Sequence, residues 1–271
     1  MAVTINNYLR ELSSNYYLKN DSGELLKINT SIVNLFKNLD TDLGLLINRR
    51  FVFGSFDRDT ILPRKYDSES DVDIMVVFNH TDYERTPGTY RAWLKNFADK
   101  YYKNRYGSEV LNDFPTVTIK LNNIKYDLVP AKEEIYLYSK NTLYIPSSYN
   151  RDGWQITAPS DVKDELVRVN KDYNYIVKPV IRLLKAWNCK MGYPFDSYSL
   201  ELQITKMNFF NDNIEKGFIW AAKMLSIPSY SAQWKKDKVN HLSTTIYKIE
   251  KYLGDNDLVN AKIELHKLLP Y

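Results

Sequence analysis

The run Asp71-Val72-Asp73-Ile74-Met75-Val76-Val77-Phe78 constrains the fold of this chain more than any other stretch. Its β-branched and aromatic residues predict a strand. Side chains alternate along a strand, so Asp71 and Asp73 project from one face while Val72 and Ile74 point to the other. Two carboxylates that close repel each other unless a cation lies between them. Acids at this spacing also occur as solvated turn residues ahead of a strand, and the pair alone does not decide between the two readings.

A third acid shifts the weight. Asp127 interrupts the otherwise apolar run Tyr126-Asp127-Leu128-Val129, and a lone carboxylate in such a run is costly to bury unless it is paired or metal-bound. In isolation it could face water from an edge strand. Beside Asp71 and Asp73 it reads as a third oxygen donor for a hard cation such as magnesium, which keeps substrate phosphates in its shell. Gly54-Ser55 follows a short apolar segment, Phe51-Val52-Phe53. A glycine there permits a tight turn and close approach of backbone to ligand, and the serine hydroxyl and nearby N–H groups can donate to phosphate oxygens. The dipeptide is common, so its meaning lies in the order: strand, Gly-Ser, polar loop, acid-x-acid strand, distant third acid.

The surrounding pattern predicts an α+β protein, a mixed sheet with helices against it. Helical spacing is expected over residues 5–19, with Leu9, Leu12 and Tyr16, and over 25–46, with Ile28, Ile32, Leu35, Phe36, Leu39 and Leu43. Another helix is expected over 90–106. Strands over 116–121 and 124–129 flank Asn122-Asn123, a two-residue hairpin turn. Beyond Pro159 the text is helical, with segments at 175–188, 200–211, 214–225, 244–253 and 258–269. The expected division is a sheet-containing core with the N-terminal helices over 1–155 and a helical domain over 156–271, the two N-terminal helices being able to pack across that boundary.

Composition excludes some classes and leaves others open. The single cysteine, Cys189, rules out an intramolecular disulfide and a cysteine metal cluster. No run reaches the roughly 18 apolar residues of a membrane span, so a cytoplasmic protein without a membrane partner is expected. A net charge of +4 suits an anionic substrate without requiring stable binding to nucleic acid. His80, His241 and His266 lack metal-ligand spacing and read as surface or satisfied core histidines.

The ordered set Gly54-Ser55-Phe56-Asp57-Arg58-Asp59-Thr60, Ser70-Asp71-Val72-Asp73-Ile74 and Tyr126-Asp127-Leu128-Val129-Pro130 resembles the DNA polymerase β-like nucleotidyltransferase superfamily. Within it the chain is most similar to the bacterial relatives of cyclic GMP-AMP synthase and oligoadenylate synthase, the CD-NTases. Arg58 and Thr60 match that group's Arg-Gly-Thr pattern, and Asp59 stands where the pattern has glycine. Leu184-Lys185-Ala186-Trp187 resembles the group's Leu-Lys-x-Trp helix, and Ser197-Tyr198-Ser199-Leu200-Glu201 its Ser-Tyr-x-Leu-Glu segment. The resemblance implies a polymerase β-like core in which Lys185 and Ser197 bind the triphosphate and Tyr198 stacks on the base.

It also implies two magnesium ions, with manganese as an alternative: one held by Asp71, Asp73 and Asp127, the other by Asp71 and Asp73. ATP and other nucleoside triphosphates are the implied substrates, a cyclic oligonucleotide messenger of anti-phage defence the implied product, and a regulatory protein partner is compatible with both. Two other readings stay open: transfer of a nucleotide onto RNA (a tRNA 3′ end) or onto protein, and an inactive nucleotide-binding module.

Overall fold

The computed structural model describes residues 4–82, 84–122, 124–136, 141–150 and 152–271. In chain order the elements are α1 (Asn6–Asn15), α2 (Ser22–Leu43), β1 (Ile47–Phe53), α3 (Gly54–Asp57), β2 (Asp71–Phe78), α4 (Pro87–Ala98), α5 (Asn104–Tyr106), β3 (Glu109–Leu111), β4 (Val117–Lys120), β5 (Lys125–Glu134), β6 (Thr142–Pro146), β7 (Trp154–Thr157), α6 (Pro159–Asp172), α7 (Val177–Lys190), α8 (Ser197–Thr205), α9 (Ile214–Met224), α10 (Gln233–Gly254) and α11 (Leu258–Leu268). The architecture is α+β, as expected.

Contacts divide the chain differently from a single cut near residue 155. One unit comprises residues 22–58 and 69–163, the other residues 1–21, 59–68 and 164–271. The cause is the apolar stripe of the first helix. Leu9, Leu12 and Tyr16 are buried in one cluster with Val180, Leu183, Leu184 and Trp187 of α7 and with Phe218 of α9. The first helix therefore belongs with the C-terminal helices, whereas α2 stays with the sheet.

In the sheet unit the strands run in the order β1-β2-β5-β4-β3, with β6 paired to β5 and β7 to β6. The β2–β5 pair is parallel, and β1–β2, β4–β5 and β3–β4 are antiparallel. On one sheet face the paired stretch of β2 and β5 is apolar: Val72, Ile74, Tyr126 and Leu128 have no exposure. Helix α4 covers it, packed on β4 and β5, with the Tyr90 ring stacked on Phe78 at 4.3 Å between centroids. That helix starts at Thr86, whose hydroxyl accepts from the Thr89 N–H, with Pro87 in the first turn. Both residues suit a helix start, because they meet or remove an N–H that has no helical partner.

Three differences from the sequence expectation have local causes. The helix expected over 90–106 is broken by a π-turn at Asp99–Lys103. Strands β3 and β6 carry no clean alternation of apolar and polar residues, and β7 alternates over only four residues, so all three become strands through their neighbours. The first half of α10 is rich in lysine and lacks an apolar stripe, so only its second half was legible. Of the expected hairpin turn, Asn123 lies outside the described residues.

Apolar residues that look alike in sequence differ in consequence. Ile74→Ala should lower the unfolding free energy by about 2–5 kcal/mol, since its side chain is fully enclosed. Leu26→Ala, at an exposed site, should change it by no more than about 0.5 kcal/mol. Urea unfolding of both variants measures the contrast, and equal losses would contradict the assigned faces.

Candidate active site

The parallel register brings the acids together. Asp73 on β2 lies opposite Asp127 on β5, and Val72 opposite Tyr126. Registered neighbours in a sheet share a face, so Asp71, Asp73 and Asp127 all project from the face opposite Val72 and Ile74. Further along the same face Met75, Val77, Val129 and Ala131 form a small buried cluster with Phe51, Phe53, Leu143 and Ile145 around it. The acids thus sit where an apolar floor ends.

Each carboxylate has identifiable surroundings. Thr118, opposite Asp127 on β4 and itself buried, donates its hydroxyl to Asp127 Oδ1 at 2.5 Å. Burial pushes the Asp127 carboxyl above the ordinary aspartate range; the Thr118 hydrogen bond opposes that, and the nearby charge of Asp71 adds to it. Lys125 lies opposite Asp71 in the register, with its ammonium 3.2 Å from Asp71 Oδ2. Burial lowers the Lys125 pKa, but the charges of Asp71 and Asp127 outweigh it and hold the group above its ordinary value. Neither Thr118 nor Lys125 stood out in the sequence, because each matters only through the strand beside it.

Gly54 closes the arrangement. Strand β1 ends at Phe53, which is opposite Asp73, so the next residue turns against that carboxylate. Gly54 has φ +71°, and a Cβ placed there would lie 1.8 Å from Asp73 Oδ2. Glycine is thus required twice, for the left-handed backbone and for the approach of the acid. Ser55 lies in the single turn α3 that follows.

The fit of divalent metal can be judged from these groups. Among the described residues no three His, Cys, Asp or Glu side chains already converge as a ligand cluster: Asp71 pairs with Lys125 and Asp127 with Thr118. The donor chemistry fits all the same. Three carboxylates on one face, one of them kept against a glycine, offer the hard oxygen ligands that magnesium takes.

The remaining expected site residues lie in the helical unit. Lys185 on α7 is not on a solvated helix face. It is buried, with its ammonium 3.0 Å from Glu201 Oε1 of α8, and Thr60 donates to the same oxygen at 2.9 Å. Three residues from three separate motifs therefore meet at one carboxylate. Ser197 opens α8 half-buried, and Tyr198 beside it is 46% exposed. Asp59 explains its departure from glycine: it keeps a left-handed backbone, φ 64°, and its carboxylate binds Lys19 at 2.5 Å and Lys178 at 3.0 Å. Aspartate tolerates that conformation better than most residues. His80 and His266 contact tyrosine hydroxyls, of Tyr90 and Tyr8.

Comparison with known proteins adds the decisive observation. A model of the Second Messenger Oligonucleotide or Dinucleotide Synthetase (SMODS) domain matches residues 3–170. The chain belongs to the SMODS family. The match takes in Gly54, Ser55, Asp71, Asp73 and Asp127, while Lys185, Ser197 and Tyr198 lie beyond it. The CBASS oligonucleotide cyclase CdnC of Escherichia coli strain KTE188 is 26% identical over 211 residues, covering 71% of this chain and 62% of that protein. A cyclic AMP-AMP-AMP synthase of an Acinetobacter species is 26% identical over 179 residues, covering 63% and 49%. The SMODS chain thus spans less than two thirds of the length of these curated relatives. The structure of Bradyrhizobium diazoefficiens CD-NTase CdnG in complex with GTP superposes with a TM-score of 0.70 at 11% identity, over 97% of both chains. That likeness shows a shared fold. No helix among the described residues is long and apolar enough to cross a membrane.

Gly54→Ala tests the close approach. The added methyl should force the Asp73 carboxylate aside and cost about 1–2 kcal/mol of stability from the left-handed backbone. In an Asp73→Ala background the same change should cost less, the backbone part and a tight 3.0 Å contact with the remaining Cβ. Thermal unfolding of the two single variants and the double variant gives the coupling, and strict additivity would show that glycine and acid do not touch.

Proposed function

We propose that this SMODS chain joins nucleoside triphosphates into a cyclic or short linear oligonucleotide that serves as a second messenger in anti-phage defence. The observation that carries the reading is the placement of Asp71, Asp73 and Asp127 on one sheet face, with Gly54 set against Asp73. The names of the relatives, an oligonucleotide cyclase and a cyclic AMP-AMP-AMP synthase, support ATP and other nucleoside triphosphates as substrates.

Two divalent ions, magnesium or manganese, would supply counter-charge to the triphosphate and acidify the attacking hydroxyl. Asp71, Asp73 and Asp127 would hold one of them, and Asp71 and Asp73 the other. The protein's own contribution is orientation. The bare backbone at Gly54 and the Ser55 hydroxyl would receive the triphosphate. Asp127, pinned through one oxygen by Thr118, would turn its other oxygen toward the acceptor side. Ser197 is a further proposed phosphate contact. So is Lys185, because an ammonium carries three hydrogens and Glu201 takes only part of that capacity. The exposed ring of Tyr198 would stack on a base.

The direct test is incubation with labelled nucleoside triphosphates and magnesium or manganese, with products resolved by mass spectrometry. Phosphatase-resistant small products are expected from the wild type and none from Asp71→Asn/Asp73→Asn. Turnover near wild type in that variant, or label recovered on RNA or protein, would reject the proposal. Without metal, the double variant should unfold at the same temperature as the wild type or higher, because mutual repulsion is relieved.

Tyr198 separates stacking from hydrogen bonding. Tyr198→Ala should weaken nucleotide binding by about 1–3 kcal/mol, and Tyr198→Phe should leave it close to wild type. Calorimetric titration with a non-hydrolysable ATP analogue compares them. Equal affinities in two folded variants would return Tyr198 to a structural role.

A further inference from the structure

Asp127 stands on β5 between Asp73 on β2 and Thr118 on β4. Among the described residues the Thr118 hydroxyl is its one O–H or N–H donor, 2.5 Å from Oδ1. A count of hydrogens fixes the direction of that bond. Thr116 gives its hydroxyl hydrogen to the Asp113 carbonyl oxygen at 3.1 Å, and the Thr116 and Thr118 hydroxyl oxygens are 3.5 Å apart. A threonine has one hydroxyl hydrogen, and for Thr118 the carboxylate is both the nearer and the charged acceptor. Thr118 is itself buried, between Val117 and Ile119 in the chain. Valine branches at Cβ in the same way, so packing alone does not call for a hydroxyl there. The charge of Asp71 repels the Asp127 carboxylate, and an untethered carboxylate turns away from a like charge. Thr118 opposes that turn without adding a charge of its own.

We propose that Thr118 is a positioning residue: its hydroxyl fixes the Asp127 carboxylate for the divalent ion on the acceptor side and has no part in holding the other ion. This rests on the reading of the three aspartates as metal ligands. In that reading Asp127 serves one ion, while Asp71, Asp73 and the phosphates hold the second. A change at Thr118 therefore reaches one ion alone, an effect that lost strand packing does not produce. Neutrality is part of the device. A hydroxyl orients the carboxylate and leaves its full negative charge for the metal, whereas a lysine or arginine in its place would cancel some of that charge. Carboxylates that ligate metal are held in turn by hydrogen bonds, and loss of such a partner weakens metal affinity or activity by about 10- to 100-fold.

The experiment counts Mn2+ ions on the full chain in the presence of a non-hydrolysable ATP analogue. Free Mn2+ is followed by electron paramagnetic resonance for the wild type, Thr118→Val, Thr118→Ala, Thr118→Ser and Asp127→Asn, each checked for folding by thermal unfolding in chelator. The wild type should take two ions. Thr118→Val and Thr118→Ala should keep one at wild-type affinity and hold the other about 10- to 100-fold more weakly. Thr118→Ser, which restores the hydroxyl, should bind both ions as the wild type does. In turnover Thr118→Val should lower kcat by a like factor with KM for ATP unchanged. If the folded hydroxyl-free variants bind both ions normally while Asp127→Asn loses one, the role of Thr118 is overturned and the acid site stands. The role is equally overturned if Thr118→Ser weakens the ion as much as Thr118→Val. If Asp127→Asn keeps both ions, Asp127 is no metal ligand, and the reading beneath the inference fails with it.

Discussion

The parallel pairing of β2 with β5 is the constraint on which the rest depends. Side chains alternate along a strand, so a slip of one residue would send Asp127 to the opposite face. There it would enter the layer formed by Val72, Ile74, Tyr126 and Leu128, where every side chain is enclosed. The same slip would bury a charge and remove the third acid from the site. The register is secured because one face is apolar over the paired stretch, with Val72, Ile74 and Val76 beside Tyr126, Leu128 and Pro130, and is covered by α4. The hydrophobic side of the sheet thus specifies the geometry of its polar side.

The acid face carries a cost that its immediate neighbours offset. Burial alone pushes the Asp127 carboxyl toward its neutral form. Thr118 and Lys125 act against that, the first by donating a hydrogen bond and the second by charge. Gly54 keeps Asp73 close to the β1 turn by offering no side chain. The sheet therefore sets three carboxylates on one face together with groups that make the arrangement tolerable without metal.

The helical unit uses its motif residues differently. Lys185, Glu201 and Thr60 form a buried ion pair with an added hydroxyl, and loss of one partner of such a pair leaves an uncompensated charge worth about 3–5 kcal/mol. Arg182 donates to the carbonyl oxygens of Ser13 and Asp59 at 3.1 and 3.2 Å, tying the N-terminal segment and the 59–68 loop to α7. The separation of this loop and the first helix from the sheet unit follows from those contacts. Residues read as ligand-binding in a motif can thus be structural as well, and a loss of activity at Lys185 has to be read beside a measurement of folding.

What the sequence determined by itself was the local material: period-two apolar strands with an acid-x-acid start, a third acid in an apolar run, a glycine after a strand, and amphipathic helices beyond Pro159. These signals are carried by residues close together in the chain, and their order was enough to suggest the family. Only the tertiary structure decided which strand lies beside which, and hence that Asp73 faces Asp127, that Lys125 answers Asp71, and that Thr118 holds Asp127. It also decided that the first helix packs with the last ones, that Lys185 is buried rather than solvated, and that β3, β6 and β7 are strands at all. In each case the deciding interaction joins residues far apart in sequence, and such pairings leave no periodic trace in a single chain.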